Sequence, residues 1–270
     1  MNSLQLMGIL NITPDSFSDG GKYLELNEAL KQFIYLSESG ADIIDIGAES
    51  SRPSAVLIDQ ETEWQRLEKF LKEINKLKLK TKISLDTYKG IIAQRALREN
   101  LVQIINDVSG LKDNLMLEVL REFPNCEIII NHNRGIPASR DNFAFDKENS
   151  LSEIIIFFEN CLDKLESINF PRNQIILDLG LGFGKGLEEN LFLIKNLGQF
   201  KKYFNLRILL GPSRKRFVKE LWTETKLEIE DQSLDWASLV ISSWAAFYGA
   251  NIIRCHDINI YKPLKALGLG

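Results

Sequence analysis

The chain has 270 residues, of which 44% are hydrophobic, and carries a formal net charge of −4. That is enough apolar material for a sizeable core. There is no basic excess of the kind that would hold nucleic acid or an anionic membrane, so an anionic ligand would need a local basic cluster.

The chain alternates short apolar runs with longer amphipathic ones. The short runs fall at 4–10, 42–46, 82–86, 103–106, 126–131, 174–178, 207–211 and 251–254. They are rich in Ile, Leu and Val along their whole length, which predicts strands buried on both faces, as in a parallel sheet. Helical spacing follows at 26–39, which stops at Gly40, and at 61–77, where Trp64, Leu67, Phe70, Leu71 and Ile74 share a face. It recurs at 115–122, 151–167, 188–200, 233–248 and 260–267. Strands alternating with helices imply parallel pairing. Eight such units with no composition break predict an α/β fold, a (β/α)8 barrel forming one domain over 1–270. The stretches 131–148 and 211–231 read as long loops, a class that often carries function.

Every predicted strand runs into polar residues. Asn11 follows the first, Gly47, Glu49, Ser51 and Arg52 the second. Asp86 ends the third, Asn106 and Asp107 the fourth, Asn131, His132 and Asn133 the fifth, and Asp178 the sixth. Ser213, Arg214 and Lys215 follow the seventh, and Arg254, His256 and Asp257 the eighth. In such barrels the active site lies at the C-terminal ends of the strands. Any one Asp or Asn there could simply cap the next helix; eight convergent ends point to a site. Asp86, Asn106 and Asp178 offer a donor and acceptor array suited to a flat amino-heterocycle. Arg254, His256 and Lys215 suit phosphate oxygens or a ring carbonyl. The array holds no carboxylate cage for a metal, so Mg2+ held mainly by a diphosphate, with Asn11 as a single protein ligand, fits the pattern. The segment GLGFGK (180–185) lacks the spacing of a Walker motif and reads as a tight turn, with Phe183 projecting as a wall for a ring. Two histidines, His132 and His256, are too few for a zinc site of the usual kind.

Cys126, Cys161 and Cys255 form no CxxC or Cys/His pattern, and are expected to be buried, reduced thiols in a cytoplasmic protein. The first ten residues do not read as a signal peptide. The apolar stretch 239–250 is too short to span a bilayer.

The motifs MGILNITPDSFSDGG (7–21), DIGAESSRPSA (45–55), SLDTYK (84–89), IINDVSG (104–110), ILDLGLGFGK (176–185), GPSRKRF (211–217) and IIRCHD (253–257), a set spanning nearly the whole chain, closely resemble the dihydropteroate synthases. That family has the (β/α)8 fold inferred above. The resemblance implies a dihydropterin against Asp86, Asn106, Asp178 and Lys215, and a diphosphate with Mg2+ at Asn11, Arg254 and His256. It places p-aminobenzoate near Ser51, Arg52, Pro53, Phe183, Ser213 and Lys215, with the first two loops bringing in Asp19 and Asp15. Asp86, Asp19, Arg52 and Lys215 are the expected catalytic residues, Asp86 stabilising positive charge that develops on the pterin. A homodimer is also implied. The sequence departs from the family pattern at Ala48, Ser51, Ser54, Leu179, Asn131 and Asn133. A pterin-dependent methyltransferase on the same fold would have no use for the SRP and SRKR segments, and a non-catalytic pterin-binding paralogue is the alternative of another class.

Overall fold

The computed structural model describes residues 4–13, 22–49, 57–135, 146–226, 228 and 233–268. Eight strands run in chain order around a closed, wholly parallel barrel. They are β1 Gln5–Asn11, β2 Ile43–Gly47, β3 Lys82–Asp86, β4 Ile104–Asp107, β5 Glu127–Asn131, β6 Ile175–Asp178, β7 Arg207–Leu210 and β8 Ile252–Cys255. Each begins and ends within one residue of the apolar run that predicts it. The connecting helices are α1 Lys22–Glu38, α2 Gln60–Lys76, α3 Gly90–Arg98, α4 Asn114–Glu122, α5 Lys147–Ser167, α6 Leu187–Lys195, α7 Leu197–Phe204, α8 Arg216–Glu224, α9 Ser233–Phe247 and α10 Ile258–Ala266.

Three elements differ from the sequence reading. The helix α3 was not anticipated: it opens on Gly90, a poor helix former, directly after the motif 84–89. The run 188–200 is two helices, broken where Asn196 leaves the helical ladder between α6 and α7. The stretch 211–231 is not one long loop, since α8 occupies its middle.

The alternation of strand side chains divides the core in two. Ile44, Ile46, Leu85, Ile105, Ile128, Ile130, Leu177 and Ile208 belong to the large cluster that includes the helices. Met7, Ile43, Ile104, Ile129, Ile176, Leu209 and Ile252 form a separate, fully buried cluster, one residue from each strand except β3. They plug the barrel interior. Two residues further along, on the same inward face, the strands carry Asp45, Asn106, Asn131, Asp178 and Arg254, while β3 turns Ser84 and Asp86 inward and β1 ends on Asn11. The apolar plug is therefore the floor of a polar well.

Asp59, Asp113 and Asp257 accept backbone N–H groups at the starts of α2, α4 and α10. Asp113 also accepts the Gly90 N–H at 2.7 Å, which docks α3 on α4. A β-carbon added to Gly90 would lie 2.7 Å from Met116 N and 2.8 Å from the Leu115 carbonyl carbon, both backbone atoms that cannot swing aside. Gly90→Ala should therefore destabilise the fold by about 1–3 kcal/mol, as overpacking does. Thermal unfolding checks this; an unchanged Tm would mean that α3 and α4 separate freely.

Candidate functional site

The well above the plug is organised by one guanidinium. Arg254, 7% exposed at the end of β8, sends Nη1 to Asp45 Oδ2 and Nη2 to Asp178 Oδ2, both at 3.3 Å. Asp45 also accepts from Ser84 Oγ at 2.7 Å and Asn106 Nδ2 at 2.9 Å. Asp178 also accepts from Gly180 N at 2.8 Å and Asn131 Nδ2 at 2.9 Å. Six strands, β2 to β6 and β8, thus meet through one chain of charge-assisted bonds. The pairing follows from register: Asn131 is the lateral neighbour of Asp178, and Asp86 that of both Gly47 and Asn106. The Oδ1 atoms of Asn106 and Asn131 are buried without a protein partner, leaving two acceptors in the same tier.

Asp86 sits at the rim of this tier with part of its surface open. Burial, and then the charge of Asp45, push its carboxyl well above the usual range, with Arg254 opposing. Burial likewise raises Asp45 despite its bonds to Arg254, Ser84 and Asn106. Positive charge arriving beside Asp86 would therefore favour its anion. Asn11 lies across Gly47 from Asp86: a β-carbon on Gly47 would be 3.4 Å from Asp86 Cβ and 3.6 Å from Asn11 Oδ1.

The other side of the well is the turn after β6. Gly180, Gly182 and Gly184 all have positive φ, as the tight-turn reading requires. Lys215 Nζ donates to the carbonyl oxygen of Leu181 and lies 4.4 Å from the centre of the Phe183 ring. Burial, and then Arg254, hold its amine down at about 7. Ser213 Oγ lies 3.0 Å from His256 Nδ1 and accepts the His256 backbone N–H at 3.4 Å. A serine that accepts from the backbone can give its own hydrogen to Nδ1, which leaves Nε2 as the donor nitrogen of the ring.

The structure therefore brings Asn11, Asp86, Asn106, Asp178, Phe183, Ser213, Lys215, Arg254 and His256 to one end of the barrel. Asp15, Asp19, Ser51, Arg52, Pro53 and Ser54 lie outside the described residues. Glu49 is structural, accepting from Ile58 N and Lys89 Nζ, both at 2.8 Å, and so joins the chain on the two sides of 50–56. Asp107 is spent on the Ser109 and Leu111 N–H groups. Asp45, Ser84 and Asn131 are members of the site that the sequence reading missed or noted only as departures. The signal that could have found Asp45 and Ser84 is the period of two, one step back from Gly47 and Asp86.

His132 points away from the well. Its ring packs edge-on against Phe157 of α5 at 4.8 Å, its Nδ1 has no partner, and burial pushes its pKa down to about 4. Between that value and the unfolded value of 6.5 the unfolded chain binds more protons, so stability falls as pH falls through this window. His132→Leu should flatten the drop between pH 6.5 and 4.5, above the range where Glu153 releases its proton. The difference should reach a few kcal/mol, at about 1.4 kcal/mol per pKa unit. Urea unfolding at the two pH values measures it, and equal slopes in variant and wild type would sink the assignment.

Comparison with known proteins gives concordant results. The family described as pterin binding enzyme matches residues 7–256. A Helicobacter pylori protein named bifunctional dihydropteroate synthase/dihydropteroate reductase is 39% identical over 98% of this chain and 68% of its own length. A dihydropteroate synthase of Neisseria meningitidis serogroup C is 34% identical over 98% of this chain and 93% of its own. The crystal structure of a Clostridium difficile dihydropteroate synthase, determined in the presence of pteroic acid, superposes with a TM-score of 0.87 at 33% identity, covering 98% of this chain and 95% of that one.

Proposed function

The chain belongs to the dihydropteroate synthase family of pterin-binding enzymes, and from that we infer its reaction: a transfer in folate biosynthesis that joins 6-hydroxymethyl-7,8-dihydropterin diphosphate to p-aminobenzoate, giving 7,8-dihydropteroate and pyrophosphate. The observation that carries this reading is the inward tier of Asp86, Asn106 and Asp178 around Arg254, with Lys215 and Phe183 on the wall beside it.

The geometry supports the following roles. The amino-pyrimidine edge of the pterin pairs with Asp178 and with the unpartnered carbonyl of Asn106. Lys215 faces both that ring and the aromatic amine, which lies along Phe183 and Ser213; Ser51, Arg52 and Pro53, expected to meet the same ligand, lie outside the described residues. The diphosphate lies at the rim against His256 Nε2, Asn11 and the outer edge of Arg254. An arylamine is a modest nucleophile, so the bond to diphosphate is substantially broken before the new carbon–nitrogen bond forms. Positive charge then spreads into the dihydropterin beside Asp86, whose anion becomes favourable at that moment. Such a group stabilises the transition state more than the ground state. The amine proton leaves to solvent or to Asp19 in the first loop, and no residue is acylated or phosphorylated.

Among the described residues no cluster of His, Cys, Asp or Glu could hold a metal ion by itself. The amide oxygen of Asn11, next to Asp86 at the rim, suits Mg2+ as one hard oxygen ligand among diphosphate and water oxygens. Bound there, Mg2+ would neutralise charge on the leaving diphosphate.

Pyrophosphate release that requires both substrates tests the reaction; a protein that binds pterin without releasing pyrophosphate would instead be a non-catalytic paralogue. Asp86→Asn should lower kcat by about 10²–10³-fold, the usual loss for one preorganised charge. Pterin affinity should change far less. Because the anion is the working form, wild-type activity should fall with falling pH through the raised pKa of Asp86, and this acid limb should vanish in the variant. Wild-type kcat in Asp86→Asn would remove Asp86 from the mechanism.

The proposal extends to assembly and location. On α9, Ile241, Ala245 and Ala246 face the core, while Trp236, Val240, Trp244 and Phe247 are 62%, 67%, 42% and 71% exposed. These four are spaced four, four and three residues apart, and no charged residue interrupts 236–247. An uncharged apolar stripe can meet its own copy across a two-fold axis without like-charge repulsion, which supports a homodimer. Light scattering at micromolar concentration should give twice the chain mass, and Val240→Glu should give the monomer; a monomeric wild type would refute the dimer. Cys126, Cys161 and Cys255 are buried and unpaired. That state suits the reducing cytoplasm. Among the described residues no helix is long and apolar enough to cross a membrane.

A further inference from the structure

The lysine of GLGFGK does not face the well. Lys185 is 7% exposed, and its Nζ lies 2.9 Å from Gly180 O, 3.2 Å from His132 O and 3.4 Å from Phe183 O. An ammonium carries three N–H donors, and here all three point at backbone carbonyls. None remains for a phosphate oxygen, so the likeness of this segment to a phosphate loop fails at the atom that would have to bind.

The same segment is gripped from every side. Gly180 N is held by Asp178, and Gly182 N by Asn190 Oδ1 at 2.8 Å. Asn190 Nδ2 donates back to Lys185 O and Gly186 O, and Arg134 Nη1 to Gly184 O at 2.9 Å. The turn is also flush against the end of β5, where a β-carbon on Gly180 would fall 1.9 Å from His132 O. Three carbonyl dipoles converging on one point repel each other unless a cation sits among them. Lys185 supplies that charge from within the turn, its amine held down at about 7 by burial and then by Arg134. Leu181 O, by contrast, is directed outward and meets Lys215, whose ammonium also lies over the Phe183 ring.

We propose that Lys185 is a positioning residue: its ammonium, enclosed by the carbonyls of His132, Gly180 and Phe183, fixes the glycine turn in the shape that sets Leu181 O and the Phe183 ring against Lys215. It acts on the aromatic-amine half of the reaction, through Lys215, and never touches substrate. This rests on the reaction inferred above, and the experiment separates the two.

Lys185→Met keeps the length of the side chain and removes its donors. It should raise KM for p-aminobenzoate by about tenfold or more and KM for the pterin diphosphate by a clearly smaller factor, because Lys215 faces both ligands whereas the Phe183 ring faces the amine. A double-mutant cycle with Lys215→Ala should show strong coupling, because once Lys215 is gone the second change has little left to disturb. Lys185→Gln, which retains one donor group, should fall between wild type and Lys185→Met, and it serves in place of the methionine variant should that one not fold. A second readout needs no turnover: the 13C signal of reductively dimethylated Lys215, assigned with Lys215→Arg, should shift in the Lys185 variants. Equal rises in both Michaelis constants, or independent effects in the cycle, would reduce Lys185 to a stability residue and overturn the proposal. If the wild type forms no dihydropteroate, the reaction is wrong, and the Lys215 signal alone then decides the role of Lys185: a shift upholds it, and an unmoved signal ends it.

Discussion

A guanidinium shared by two buried carboxylates is the interaction on which the rest of this molecule turns. Arg254 reaches Asp45 and Asp178 inside the barrel; Asp45 takes two further donors from β3 and β4, and Asp178 one from β5 and one from the turn that follows its own strand. Charges withdrawn from water in this way are tolerated only when pairing and hydrogen bonding are nearly complete, and removing one partner typically costs about 3–5 kcal/mol. The network therefore constrains six strands at once. It also bears on Asp86, whose carboxyl is pushed up by burial and by the charge of Asp45, with Arg254 opposing. That makes Asp86 the group placed to respond to new positive charge.

Around that centre the two described walls are stiffened by different means. On the β6 side the backbone of the glycine turn is bonded at nearly every polar atom, so that Phe183 and Lys215 stand on a rigid base. On the β2 side Lys89 joins Glu49, Glu63 and the Ile58 carbonyl, fastening the chain on both flanks of 50–56. Both devices use a lysine turned inward to neutralise oxygens, which a reading of charge alone would count as solvent-facing or ligand-facing.

The strands were legible because a barrel strand is apolar on both faces, and no other element of this length has that composition. Their outermost residues were legible for the same reason: Asp86, Asn106, Asp178 and Arg254 interrupt runs of Ile and Leu. The inner tier was harder to see. Asp45 and Ser84 lie in mid-strand, where a single polar residue among isoleucines looks like an outlier rather than a ligand of a buried arginine from a strand some two hundred residues away. The tight turn of GLGFGK was legible from its glycines, but the sequence does not show that the amine of Lys185 folds back onto the turn's own carbonyls. Helices α3 and α8 are no shorter than α4 and α10, which were legible; α3 opens on a glycine straight after the motif 84–89, and α8 begins inside the motif 211–217, so both were absorbed into segments read for their polar residues.

The seven-residue apolar plug has a consequence for traffic. It closes the barrel below the polar tier, so the well is blind at one end, and whatever enters must leave by the same rim. A blind well fills from its floor. With the ligands placed as proposed above, the flat heterocycle, whose proposed partners lie deepest, would take its place ahead of the arylamine, whose proposed partners lie along the upper wall. An arylamine that settles early stands in the doorway. The order of events is thus written into depth rather than into affinity, and the conjugated product, which spans both levels, has to withdraw lengthwise before another pterin can descend.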